Sequence, residues 1–126
     1  MASPVTKSIG IAKPPETVWS LLTTAELIAD WYDGWNAVEY RRPGESIRVG
    51  STFRLSRPGN SARCRVVLAD PPHRLHWLEV ADDGLAVSVE FSIGPDEVGG
   101  TVLTHTKTVL RHGAIAAPPT GMRHYR

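Results

Sequence analysis

Cysteine is almost missing from this chain: Cys64 is the only one in 126 residues. A lone cysteine cannot close an internal disulfide, which suits a reducing compartment, and its place in a strand pattern reads as buried filler rather than as a nucleophile. No run of eighteen apolar residues and no secretory h-region is present, so the sequence reads as a cytosolic, soluble protein without membrane insertion. No repeat or low-complexity segment interrupts it. The chemistry-bearing signatures are missing too. There is no G-x-S-x-G, no H-E-x-x-H, no paired cysteines, no glycine-rich phosphate loop and no dinucleotide fingerprint. The five histidines are scattered as His73, His76, His105, His112 and His124, so no metal site and no cofactor is expected. Acidic residues stop at Glu97. Up to that point ten Lys/Arg face all thirteen Asp/Glu, a balance of −3, and the four later basic residues contribute +4, which gives the net +1. Those four, Lys107, Arg111, Arg123 and Arg126, are spread out without an aromatic stacking platform, and nucleic acid is not an expected partner.

What is present is one domain's worth of chain with a clear order of elements. Ile9 and Ile11 alternate with small or polar neighbours as a half-buried strand does, and Pro14-Pro15 stops that strand and pre-sets a helix start. Val18, Leu21 and Leu22 share one face of a first helix beginning near Glu16. Thr23-Thr24-Ala25-Glu26 matches a capping box, predicting a second helix through about Asp30. Consecutive strands follow. Residues 36–42 and 50–57 form a pair across Arg42-Pro-Gly-Glu-Ser, and Arg57-Pro-Gly-Asn-Ser makes the next turn. In 61–69 the even residues Ala62, Cys64, Val66 and Leu68 face inward. Further strands span 74–81 and 85–94, the second with Val87, Val89, Phe91 and Ile93 as its core face. The last runs from Thr101 to about Leu110, with Leu103, His105, Lys107 and Val109 on one side. One strand, two short helices and six more strands, mostly hairpin-linked, make an α+β meander.

The run from Ser8 to Trp31, followed by Gly50–Leu55, Val66–Trp77 and Gly99–His105, resembles the START-like or SRPBCC superfamily of helix-grip domains over residues 8 to about 109. It lies nearest the activator-of-heat-shock-ATPase-like and polyketide-cyclase-like branches. The resemblance implies a curved antiparallel sheet that encloses an apolar cavity together with a long C-terminal helix. The domain is accordingly expected over residues 1–110. Residues 111–126 depart from the pattern, because Gly113, Pro118, Pro119 and Gly121 break any amphipathic helix and leave an irregular tail. That helix is therefore expected to be absent or truncated. Val89, Phe91 and Leu103 are then expected to form an open apolar face, covered by a second copy of the chain or by a protein partner.

The same resemblance sets Trp31, Tyr32 and Trp35 at the cavity mouth, with Trp19 flanking it, and the alternation aims Phe91, Leu103, His105 and Lys107 at the cavity. Glu79, on the odd face of its strand with Leu75 and Trp77, is a candidate polar partner for His105 and Lys107. Phe53, in the second landmark, and Trp77, in the third, complete the expected ligand-facing set. Three functions fit. The first is binding of a small hydrophobic or aromatic molecule, lipid- or polyketide-like. The second is a cyclase-like enzyme with His105 as acid or base, although no catalytic constellation is evident. The third is an interaction module that docks a partner on the sheet.

Overall fold

Two adjacent prolines decide how the first strand hands over to a helix. In the computed structural model, which describes residues 4–111, β1 (Val5–Ile11) ends before Pro14 and α1 spans Pro15–Thr23. Pro14 is extended (φ −67°, ψ 157°), Pro15 occupies a first-turn position, and the Pro14 carbonyl accepts from the amides of Thr17 (3.0 Å) and Val18 (3.2 Å). Val18 and Leu22 are buried on one face of this helix.

The capping box expected at Thr23–Glu26 does not form. The Thr23 hydroxyl donates to the Trp19 carbonyl (2.8 Å) and the Thr24 hydroxyl to the Ser20 carbonyl (2.6 Å), while the Glu26 carboxylate accepts from the Gly44 amide (2.9 Å). Each hydroxyl bonds back to the carbonyl four residues earlier on the last turn of α1, which takes it away from capping the next segment. The chain continues as a 3-10 turn at Ala25–Leu27 and one helical turn, α2 (Ile28–Trp31).

β2 (Ala37–Glu39), β3 (Thr52–Arg57), β4 (Asn60–Asp70), β5 (Arg74–Ala81), β6 (Ala86–Pro95) and β7 (Thr101–Arg111) complete one antiparallel sheet in the spatial order β1-β7-β6-β5-β4-β3-β2. Every neighbouring pair is a hairpin except β1 with β7, so the helical segment carries the chain from one edge of the sheet to the other. α1 packs over β6 on the way. This is the helix-grip α+β arrangement. Among the described residues there is no long helix, and none is long and apolar enough to cross a membrane. Of the tail expected at 111–126, Arg111 is the last residue of β7 and the rest lies outside the described residues.

Val87, Val89, Phe91 and Ile93 are all buried, as their alternation predicts, and so are Ala62, Cys64 and Val66 on β4. Leu68 breaks the pattern. A bulge between Val66 and Leu68 shifts the register, setting Leu68 opposite His76 and Ala69 opposite Leu75, so that the inward positions beyond it are odd rather than even. The β6–β7 turn ties both ends of the sheet edge together. Asp96 accepts from the amides of Val98 (2.8 Å) and Gly100 (2.7 Å), and Thr101 Oγ1 donates to the Lys13 carbonyl (2.7 Å). A Cβ on Gly100 would stand 2.6 Å from an Asp96 carboxylate oxygen and 2.7 Å from the Ile11 carbonyl, so glycine is the residue that fits.

The open face differs from expectation. Val89 (0% exposed) and Phe91 (2%) are covered, because α1 packs over β6 and the Trp31 ring meets Phe91. Exposure moves to the rim of the same region, where Val5 (61%), Ile9 (55%) and Leu21 (44%) remain exposed and Leu103 is half-buried. Phe91 is thus a core residue, and changing it disturbs packing before any surface.

Candidate functional site

Between the β1–β7 edge and the α1–α2 segment lies an open cavity of about 710 Å³. Its floor follows from period two on paired strands: Val5, Lys7 and Ile9 of β1 alternate onto the same face as Leu103, His105 and Lys107 of β7. Register fixes their neighbours. Lys7 pairs with His105, His105 with Phe91, and Val5 with Lys107. The other wall is helical and mainly apolar, with Val18, Leu21, Leu22 and Leu27 leading to Trp31 and Tyr32.

Direct pairing across β6 and β7 stacks the His105 ring on Phe91, with centroids 4.5 Å apart and planes 13° from parallel. Trp31 meets Phe91 edge-on at 5.4 Å, and Tyr32 meets His105 at 5.9 Å. The Lys107 ammonium sits 4.8 Å from the centre of the Tyr32 ring, a cation–π contact. Two buried polar atoms in this group, Trp31 Nε1 and His105 Nε2, have no hydrogen-bond partner among the described residues. Burial, then the Lys107 charge and then that of Lys7, hold the His105 ring below the usual histidine pKa, which favours the neutral imidazole.

One layer beneath, Glu79 Oε1 accepts from both the Tyr32 hydroxyl (3.0 Å) and Trp77 Nε1 (3.2 Å). Burial first, and Glu79 second, push the Tyr32 phenol and the Cys64 thiol far above their ordinary values. Neither group supplies a ready anion, so Tyr32 acts as a held donor and Cys64 as core.

The residues nominated from sequence therefore divide. Trp31, Phe91, Leu103, His105 and Lys107 come together on the cavity. Trp77 and Glu79 lie below its surface, and Phe53, edge-on to Trp77 at 5.1 Å, lines a separate groove with Tyr40 and Cys64. Trp35 is elsewhere, under the Arg57 guanidinium, whose carbon is 4.7 Å from the ring centre. Trp19 lines a separate groove with Ile47 and Ala69. Sequence reading missed Lys7, Val5 and Leu27. The first two were legible, since the alternation of β1 extends back from Ile9 through Lys7 to Val5, but their meeting with β7 is a long-range pairing that no local pattern reveals.

Solved structures share this fold. Protein MLL2253 from Mesorhizobium loti is 24% identical, with a TM-score of 0.72 over 86% of this chain and 78% of its own. CalU16 from Micromonospora echinospora is 22% identical, with a TM-score of 0.64 over 87% and 62%. The Aha1 dimer from Colwellia psychrerythraea is 19% identical, with a TM-score of 0.67 over 87% and 78%. At these identities the likeness is one of fold. A comparison with curated proteins found no match. The family described as polyketide cyclase / dehydrase and lipid transport matches residues 4–123, nearly the whole length. With the helix-grip sheet and its cavity already in view, that match assigns the chain to the SRPBCC superfamily and, within it, to the polyketide cyclase / dehydrase and lipid transport family.

Proposed function

We propose that this chain binds one small apolar or aromatic molecule in the cavity between the β1–β7 edge and the α1–α2 segment. The observation that carries the reading is the cavity itself: about 710 Å³ with mainly apolar walls and a few polar groups on one side. That volume falls in the range of small-molecule sites, about 300–1,000 Å³. Trp31 is the aromatic anchor in this reading, with its ring against Phe91 and its buried N–H without a partner among the described residues. N-phenyl-1-naphthylamine, a neutral apolar fluorophore, is expected to bind saturably and quench tryptophan emission. Trp31→Ala is expected to weaken that binding by about 1–3 kcal/mol. An unchanged Kd in a Trp31→Ala variant with native circular dichroism would remove Trp31 from the site, and no saturable binding to the wild type would remove the site.

A second reading, cyclase-like acid–base chemistry on a bound ketone or phenol, is favoured by one observation: His105 combines an unpartnered Nε2 with a ring held neutral at the cavity wall. Such a ring is a base available below neutral pH. Its titration has a thermodynamic consequence. The folded state depresses the His105 pKa, so the unfolded chain binds the proton more readily, and stability falls as pH drops from the ordinary histidine value, about 6.5, through the folded value. His105 is thus expected to titrate below the peptide value in NMR, and His105→Gln to flatten the acid limb of a plot of Tm against pH. A midpoint at or above the peptide value would contradict this environment. For the enzymatic reading, turnover of a poly-β-ketone that survives His105→Gln would decide against it.

A further inference from the structure

We infer that the β1–β7 wall of the cavity is an anion pole: its ligand carries a carboxylate, phenolate or enolate oxygen that lies against His105, between Lys7 and Lys107, while its apolar body fills the rest. The proposal rests on the ligand-binding reading and specifies the chemistry of what is bound. Register puts the three groups in one patch. Lys7 is directly across from His105, and Lys107 is two residues along the same face of β7. Directly opposed residues on a sheet face have Cβ atoms roughly 4.5–5.5 Å apart, and diagonal ones remain within reach of long side chains.

The donor inventory points the same way. Lysine and tryptophan side chains can only donate, so an anion in the cavity meets donors in Lys7, Lys107 and Trp31, and of these the Trp31 N–H is buried without an acceptor among the described residues. The free Nε2 of His105 completes the set when it carries the ring proton. Among the described residues neither lysine forms an ion pair. The carboxylates on the cavity, Asp30 and Asp33, belong to α2 and the turn after it. The charges that help lower the His105 pKa are those of Lys107 and then Lys7. Both positive charges bear on one half-buried imidazole at a largely apolar wall, and like charges near one another on a sheet face are unfavourable. A bound anion offsets the two positive charges and accepts from the orphaned donors together; a neutral acceptor does only the second, and a cation does neither.

A matched pair of probes separates this proposal from the reading beneath it. Naphthalene-2-carboxylate and 2-naphthalenemethanol share a body and differ in charge, and their binding to the full chain can be measured by calorimetry near neutral pH. The carboxylate is expected to bind about tenfold more tightly. That preference should shrink as NaCl rises from about 20 mM to about 500 mM. It should fall to about twofold or less in Lys7→Met/Lys107→Met. Equal affinities in the wild type would leave the cavity reading standing and overturn the anion pole. A preference that survives both lysine substitutions, or that ignores salt, would overturn it as well. Saturable binding of neither probe would remove the cavity reading and the pole with it. If the double variant fails to fold, the wild-type salt titration decides.

Discussion

Trp77→Ala is expected to cost about 3–5 kcal/mol, enough to bring the domain close to unfolding. Trp77 has no exposed surface and stands where the aromatic residues meet. Phe53 meets it edge-on at 5.1 Å, Phe91 lies at 5.4 Å and Tyr32 at 5.7 Å. Truncation would remove the packing of all three at once and leave a void beneath the cavity floor, with backbone on either side that is held by β4 and β6 and cannot close over it. It would also delete one of the two donors to Glu79. Urea denaturation followed by circular dichroism measures the loss as a lower midpoint at an unchanged slope. A loss under about 1.5 kcal/mol would mean that the neighbours relax into the space and that the cavity floor is softer than the ring geometry implies.

The sequence was informative wherever the structure is periodic and local. The alternation Val87, Val89, Phe91, Ile93 is enough to fix which face of β6 is buried, and the same period carries His105 and Lys107 to the cavity side of β7. It failed where one local signal met a competing local demand. Thr23 and Glu26 carry the side chains of a capping box, yet the Thr23 hydroxyl bonds back to the Trp19 carbonyl and the Glu26 carboxylate accepts from the Gly44 amide. It failed again at the β4 bulge, where one extra residue reverses the faces and sends Leu68 outward with no mark in composition. Trp35 and Trp31 sit four residues apart and looked equivalent. Only long-range packing separates them, sending Trp31 against Phe91 and Trp35 under Arg57. The same limit explains Phe91. Whether a strand's inner face is wet depends on what crosses it, and here the one-strand, two-helix opening of the chain brings α1 over β6.

Glu79 tests how that buried layer supports the cavity, and Glu79→Leu is expected to destabilise the fold by about 2–5 kcal/mol. The substitution keeps the volume roughly constant but strands the Tyr32 hydroxyl and the Trp77 N–H, which both donate to Glu79 Oε1. Each buried donor left without an acceptor costs about 1–3 kcal/mol. Removing one stranded donor should therefore recover part of the loss: Tyr32→Phe, costly in the wild type, should be nearly neutral or stabilising in the Glu79→Leu background, with a coupling of about 1–3 kcal/mol in the double-mutant cycle. Strictly additive costs would mean that the two residues contribute independently and that the hydrogen bond has no net worth. The coupling also reaches the ligand site. Tyr32 packs against His105 on one side and receives the Lys107 ammonium on its ring face, so a Tyr32 freed from Glu79 no longer fixes where that charge points. Loss of carboxylate preference in Glu79→Leu, under conditions where the variant remains folded, would therefore identify Glu79 as a positioning residue that acts through Tyr32. Retention of the full preference would confine its role to the core.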